Sequence, residues 1–294
     1  MTQRILVLGA TGMLGHKLTE RLSRKFPTFA TVRQAASPDS RAALAAFRDA
    51  RLLFDVDAGE PDAIARALDV AEPTVVINAI GIIKQIEAAN DAISQITINA
   101  LLPHRIAAAC RQAGGAIRSI HFSTDCVFSG RAGPYAQTDA PDPQDLYGRT
   151  KLIGEVDGRN CLTIRSSLVG RELRGRSSLI EWFLSQRGGR VRGFTGALYT
   201  GLTTNAMADL VAKIIVDVPQ LDGIWQVAST PISKFELLGI VNREFSLGIE
   251  IERDESFRCD RRLDGGAFAA RTGFKAAPWD TMIAEMRADP IPYD

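Results

Sequence analysis

The chain has 294 residues, of which 46% are hydrophobic and 23% charged, with a formal net charge of +1. That length and composition suit a globular protein with a large core, built as one α/β unit or as two lobes, and near-neutral charge argues against a broad nucleic-acid surface. No stretch approaches the roughly 20 apolar residues of a membrane span, the amino terminus lacks the apolar run of a signal peptide, and Cys110, Cys126, Cys161 and Cys259 have no paired spacing for zinc or redox work. A reduced cytoplasmic setting without a metal or a membrane is expected.

Strands and helices alternate from the start. Arg4 to Leu8 reads as a short buried strand, Met13 to Arg24 as a helix and Thr28 to Val32 as a second strand. Leu52 to Asp55, Thr74 to Asn78 and Ile117 to Ser123 continue the strands, with helical patterns at Pro61 to Leu68 and around Ile93 to Gln112. Apolar runs separated by helices predict a parallel sheet covered on both faces, and right-handed crossovers make it the doubly wound Rossmann arrangement. Ser129 to Asp145, rich in Gly, Pro and Asp, reads as a loop before a helix at Tyr147, and Cys161 to Arg165 as a further strand. Beyond it Gly170 to Arg176 reads as a loop, Ser178 to Gln186 as a helix and Gly193 to Thr204 as irregular. Helices follow near Asn205 to Val216, Lys234 to Arg243 and Asp280 to Arg287. The expected division is a dinucleotide-binding domain over 1–168 and a smaller α/β substrate lobe over 169–294, interleaved with the first.

Gly9, Gly12 and Gly15 follow the first strand and open the first helix. Glycines there permit a tight turn and let a pyrophosphate approach the helix amino terminus, alongside Thr11, Met13 and Leu14; the plainer reading is an ordinary strand–helix turn. No carboxylate for a ribose 2′-hydroxyl follows the second strand until Asp39, and the segment Thr31-Val32-Arg33-Gln34 offers Arg33 instead. Arg33 therefore suits the 2′-phosphate of NADP, with NAD still admissible, or is simply solvated. Asp55 and Val56 close the third strand, where the carboxylate meets an adenine amino group or caps the loop before Pro61. Asn78, Ala79 and Gly81 end the fourth strand in a small-residue run that lets backbone pass close to the cofactor. Asn99 either braces the site through its amide or interrupts an amphipathic pattern.

The strongest signal lies downstream. Ser123-Thr124-Asp125 ends the fifth strand, where open parallel sheets place ligands. Tyr147 and Lys151, four apart, share one helix face, so the ammonium is placed to lower the phenol's pKa. The chemistry suggested is carbonyl reduction: Thr124 binds the carbonyl oxygen, Tyr147 delivers a proton and Lys151 holds the nicotinamide ribose. A surface Tyr/Lys helix pair is the plain alternative.

These segments, ILVLGATGMLG, VVINAIG, HFSTDCVFSG, LYGRTKLIGE and LTIRSSLVGRE, resemble the extended short-chain dehydrogenase/reductases, and within them the dTDP-4-dehydrorhamnose reductase group. Weaker echoes occur at Gly201-Leu202-Thr203-Thr204 and Thr272-Gly273-Phe274. The resemblance implies a nucleotide-activated 4-keto-6-deoxy sugar between the lobes and NAD(P)H in the larger one. It carries the catalytic roles onto Thr124, Tyr147 and Lys151, and the cofactor turn onto Gly9, Gly12 and Gly15. Two departures touch the sugar pocket: Cys126 stands where the reductases carry a tyrosine, and Leu168 where they carry an aromatic. The related 4,6-dehydratases need a glutamate at the Cys126 position, which argues against dehydration. GDP-fucose synthases carry an acid/base cysteine at that offset together with a histidine from the second lobe, yet His16, His104 and His121 all precede it. Asp125 and Cys126 are substrate-contact candidates. Arg171, Arg174, Arg176, Arg187, Arg190 and Arg192 offer grips for a diphosphate, Arg171 first, or form a solvated face; Arg261-Arg262 invites the same reading. Two rival readings are a non-catalytic NADP-binding regulatory subunit, as in the beta subunit of methionine adenosyltransferase, and an epimerase or epimerase-reductase. Assembly as a homodimer is compatible with all of them.

Overall fold

The structure is a computed structural model that describes residues 3–33, 40–60, 62–84, 91–113 and 117–293. Gln34, Asp39 and Pro61, named above, lie outside the described residues. A seven-stranded, all-parallel sheet forms the centre. Its strands are β1 (Ile5–Leu8), β2 (Thr28–Thr31), β3 (Arg51–Leu53), β4 (Val75–Asn78), β5 (Arg118–Ser123), β6 (Cys161–Arg165) and one from later in the chain. The helices between them are α1 (Gly15–Ser23), α2 (Arg41–Ala46), α3 (Ala63–Ala71), α4 (Ala92–Gln95), α5 (Leu102–Gln112) and α6 (Leu146–Ile153). Then follow β7 (Leu168–Val169), α7 (Leu179–Leu184), β8 (Arg190–Tyr199), β9 (Leu202–Thr203), α8 (Thr204–Asp217) and β10 (Gly223–Gln226). The chain ends with β11 (Ile232–Ser233), α9 (Lys234–Glu244), β12 (Glu250–Asp260), α10 (Gly266–Thr272) and α11 (Trp279–Arg287).

All four residues of β1 are solvent-free, as an apolar run with both faces covered must be. Ile5 and Val7 join the core that includes Leu18, Leu22 and Val211, while Leu6 and Leu8 join the one that includes Ile64, Leu68 and Ile106. Strand order β10-β6-β5-β4-β1-β2-β3 reverses direction between β1 and β4. The crevice beyond their carboxyl ends is therefore the switch point where open α/β sheets hold ligands. The last strand of the sheet, β10, comes from the carboxyl-terminal third and pairs in parallel with β6 from Gly223↔Leu162 to Gln226↔Arg165. Among the described residues no helix is long and apolar enough to cross a membrane.

Three expectations need correction. The stretch Gly193 to Thr204, read as irregular, is largely strand: β8 pairs in parallel with β12 and antiparallel with β11. Its glycines hid it. A Cβ on Gly193 would lie 2.8 Å from Phe235 and Ile251 atoms, and one on Gly196 would lie 2.6 Å from the Phe257 carbonyl, so glycine is demanded by close packing. Asp55 does not close β3, which ends at Leu53; Asp55 sits beyond it with φ of +54°. The helix around Ile93 to Gln112 is interrupted by a π-helical stretch, Ile96–Leu101, where the Leu102 N–H reaches back to the Thr97 carbonyl. Pro103 is the reason: it has no N–H for the Asn99 carbonyl and its ring needs room there, which one wider turn provides.

Candidate active site

At the amino end of α1 the three glycines play different parts. Gly9 has φ of +83°, and a Cβ on it would come 2.7 Å from the Ile80 side chain. A Cβ on Gly15 would lie 2.0 Å from the Gly9 carbonyl. The fold itself demands both. Gly12 differs: a Cβ there would meet only the Gly9 and Ala79 carbonyls, at 3.5 and 3.9 Å, which is ordinary contact. Nothing within the protein requires its bare backbone, and Thr11 and Gly12 are exposed. The amino end of α1 also has no side-chain cap, since Leu14 occupies that position. An open glycine before an uncapped helix end is what an incoming diphosphate needs, so these residues fit the pyrophosphate of a dinucleotide. Met13 is half-buried beside them.

Neighbouring strands hold this turn. Thr31, at the end of β2, accepts the Gly9 N–H on its hydroxyl and the Ala10 N–H on its carbonyl, each at 3.0 Å. At the end of β4 the Ala79 N–H donates to the Leu8 carbonyl at 3.0 Å. The Asn78 carboxamide oxygen accepts the Ile80 N–H at 3.1 Å, which leaves its NH2 to donate to His121 Nδ1, also at 3.1 Å. Asn99 closes two bonds on Ile82, accepting its N–H and donating to its carbonyl, both at 2.9 Å. The segment running from Asn78 past Gly81 is thereby fixed against the glycine turn, with Gly81 exposed. Arg33 is exposed just past β2. Asp55 is exposed and Val56 donates to the Val32 carbonyl at 3.2 Å; the loop before α3 is turned by Asp57, which accepts the Gly59 N–H at 2.8 Å, and not by Asp55.

Thr124, Asp125, Cys126, Tyr147 and Lys151 come together beyond β5. Asp145 caps α6 by accepting the Gly148 N–H at 2.8 Å and also pairs with Lys84. Two glycines decide where α6 lies. A Cβ on Gly148 would fall 2.3 Å from the Cys126 carbonyl, and one on Gly154 would fall 1.9 Å from the Asn99 carbonyl. The helix thus rests directly on the 3-10 turn Asp125–Val127 and on the π-helical stretch. The Thr124 hydroxyl accepts the Cys126 N–H at 3.2 Å and donates to the Asp125 carboxylate at 3.1 Å. Thr124 is among the groups that act on the Tyr147 phenol, and the Lys84 ammonium sits 5.4 Å from the centre of the Tyr147 ring.

The electrostatics depart from expectation. Burial raises the Tyr147 phenol well above its ordinary pKa, with Cys126, Asp125 and Asp145 pushing the same way and the Thr124 hydroxyl opposing them. Lys151 is buried and donates to the Phe122 carbonyl at 2.6 Å. Its burial lowers the ammonium to about 8, against the pull of Glu155. The phenol is therefore held as a proton donor and is not tuned toward phenolate. Burial likewise raises the Asp125 carboxyl, with Arg261 opposing, and pushes the Cys126 thiol up to about 12 with help from Asp125. A thiol in that state is a poor base near neutrality.

Four of the arginines read as a diphosphate grip bond groups of the protein itself. Arg171 donates to Glu181 at 2.6 Å and stacks its guanidinium 4.5 Å from the Tyr293 ring centre, so it is committed to the protein's own packing. Arg187 bonds the Ser246 carbonyl, Arg190 pairs with Glu250 and Glu252, and Arg192 with Asp254. Arg261 carries its charge within reach of Asp125, Cys126 and Asp145, while it donates to the Phe128 carbonyl at 3.1 Å. Leu168, in β7, packs on the main core. Sequence reasoning passed over Thr31, Lys84, Asp145, Gly148 and Gly154. The last two had a visible signal, one glycine inside and one just past the end of a short helix that carries reactive side chains.

The family model described as RmlD substrate binding domain matches residues 3–177. The chain belongs to this family. A dTDP-4-dehydrorhamnose reductase of Burkholderia thailandensis is 31% identical over 171 residues, 56% of this chain and 50% of that protein. Methionine adenosyltransferase 2 subunit beta of Danio rerio is 32% identical over 156 residues, 52% of this chain and 42% of that protein. The chain thus spans about half the length of the curated relatives it matches. A crystal structure of dTDP-4-dehydrorhamnose reductase from Bacillus anthracis in complex with NADP superposes with a TM-score of 0.77 at 17% identity, covering 97% of this chain and 99% of that one. That likeness establishes the shared fold, a Rossmann-type sheet flanked by helices.

Proposed function

We propose that this family member is an NADPH-dependent reductase of a nucleotide-activated 4-keto-6-deoxy sugar. The observation that carries the reading is the seating of α6 on the turn that follows Thr124, where a Cβ on Gly148 would fall 2.3 Å from the Cys126 carbonyl, with Tyr147 and the buried Lys151 ammonium on that same helix. Curated relatives named as reductases of such sugars support the substrate class, and the solved NADP complex of a similarly folded protein supports the cofactor.

When bound, the nicotinamide dinucleotide supplies the hydride. Gly12, with Thr11, Met13 and the amino end of α1, holds its diphosphate; Arg33 holds the 2′-phosphate, which is the basis for preferring NADP(H). Thr124 turns its hydroxyl from Asp125 to the carbonyl oxygen and orients it. Tyr147, protonated throughout the neutral range, gives its proton to that oxygen. Lys151 keeps a positive charge beneath the site and binds the ribose hydroxyls. We also propose a cofactor lobe over 1–168 and a substrate lobe over 169–294, joined through β10.

The test is dinucleotide oxidation by the purified protein with dTDP-, UDP- and GDP-linked 4-keto-6-deoxy sugars. Oxidation with one of them, lost in Tyr147→Phe, supports the proposal. The similarity to methionine adenosyltransferase 2 subunit beta favours a second reading, a dinucleotide-binding regulatory subunit. That reading predicts tight NADPH binding without turnover on any sugar. Epimerisation is disfavoured by the raised Cys126 thiol; deuterium uptake at C3 or C5 of the sugar, lost in Cys126→Ser, would restore it.

A further inference from the structure

One buried polar atom at the end of β8 is used by none of the chemistry above. The Tyr199 hydroxyl is buried and has no hydrogen-bond partner, although its ring is only partly covered. A buried donor left unpaired costs free energy, so a phenol kept there where phenylalanine would fill the same space implies a partner that arrives later.

The backbone around Tyr199 is rigidly placed. Leu198 accepts the Arg261 N–H at 2.9 Å, and Thr200 exchanges two bonds with Leu263, at 2.9 and 3.1 Å. Tyr199 itself pairs with Ile232 of β11, and its ring meets Trp279 edge-on at 6.1 Å. Arg261, fixed next door, carries its charge within reach of Asp125 and Cys126. The phenol in turn lies within electrostatic range of Asp125. Tyr199 therefore stands one residue past the backbone contact of Arg261, whose side chain in turn reaches the Phe128 carbonyl just beyond the turn that carries Thr124.

We propose that Tyr199 is a specificity-determining residue whose hydroxyl binds a neutral hydroxyl of the sugar ring beside the reacting carbonyl. This rests on the reductase reading. The phenol is a neutral donor, and a diphosphate calls for a cation to meet its charge, so a sugar hydroxyl suits Tyr199 better. A site built around a hydroxyl contact rejects analogues that lack it far more strongly than an apolar wall rejects one that has it.

The experiment compares wild type with Tyr199→Phe, which keeps the ring and its Trp279 contact. Thermal melting comes first. Because the hydroxyl has no partner in the protein, the variant is expected to melt at the same temperature or higher; a clear fall would give the hydroxyl a structural partner and overturn the proposal whether or not the protein is a reductase. Calorimetry on the NADP complex follows, with the nucleotide-linked sugar and with the bare nucleoside diphosphate. Affinity for the sugar is expected to fall about tenfold, with NADP and the bare diphosphate unchanged. Equal loss for both ligands, or no loss for either, overturns the proposal while leaving the reductase reading intact. A wild-type protein that binds no nucleotide sugar overturns both.

Discussion

Tyr147 and Lys151 titrate in the opposite order from their free side chains, and that has a measurable consequence. The phenol is raised while the ammonium falls to about 8. Below pH 8 Lys151 is charged; as pH rises through about 8 it loses its proton while Tyr147 keeps its own. The rate of reduction is expected to decline through that inflection, and Lys151→Arg, whose charge persists above pH 12, is expected to remove the inflection from the pH–rate profile. Tyr147→Phe, which deletes the proton donor and little else, is expected to lower kcat by about 10²- to 10⁴-fold, with NADPH affinity unchanged in a direct titration. Arg33→Ala is expected to weaken NADPH by about tenfold or more and NADH by little; equal loss for both would remove Arg33 from the 2′-phosphate. The residues themselves were legible in the sequence because their types and spacings answer to chemistry. Their pKa values were not, because those depend on burial, and burial is a property of the packed molecule.

At the scale of elements, α6 is positioned by what its glycines lack. Gly154→Ala would drive a methyl into the Asn99 carbonyl, 1.9 Å from where its Cβ must sit. Backbone has to move, taking Lys151 with it. The expected outcome is a loss of about 1–3 kcal/mol in denaturant unfolding together with reduced kcat. Asn99→Ala should spare α6 and release Ile82, loosening the cofactor side of the cleft, which a rise in KM for NADPH would report. The parallel strands and the glycine turn were readable from apolar runs and their breaks. The π-helical stretch was not, because an amphipathic pattern from Ile93 to Gln112 reads the same with or without one wider turn; only Pro103 hinted at it. Likewise β12 is mostly charged because it is an exposed edge, and an exposed edge shows no hydrophobic period.

Across the whole molecule, the carboxyl-terminal segment returns to the first helix. Lys17, solvent-free on α1, pairs with Asp289, which also accepts from Asn205 at 2.8 Å; two residues past Ile291, the Tyr293 hydroxyl meets His16 at 2.8 Å. His16 also contacts the Gly12 carbonyl through Nδ1, at 3.0 Å. Since that carbonyl only accepts, Nδ1 carries the proton and Tyr293 donates to Nε2. The tail is thus tied to the glycine turn. Asp289→Ala leaves a buried ammonium with only Glu20 beside it, at 3.4 Å, and should cost about 3 kcal/mol or more, seen as an earlier urea midpoint with unchanged slope. None of this was legible in the sequence, since a lysine on an amphipathic helix reads as solvated until a segment some 270 residues away covers it. What joins these scales is one claim, that the cleft transfers hydride to a sugar carbonyl while Tyr147 protonates it. Its most direct test is to supply NADPH deuterated at nicotinamide C4 with a nucleotide-linked 4-keto sugar and weigh the sugar product. The account predicts one deuterium at sugar C4, absent with Tyr147→Phe. NADPH that binds yet leaves every sugar unlabelled would contradict it.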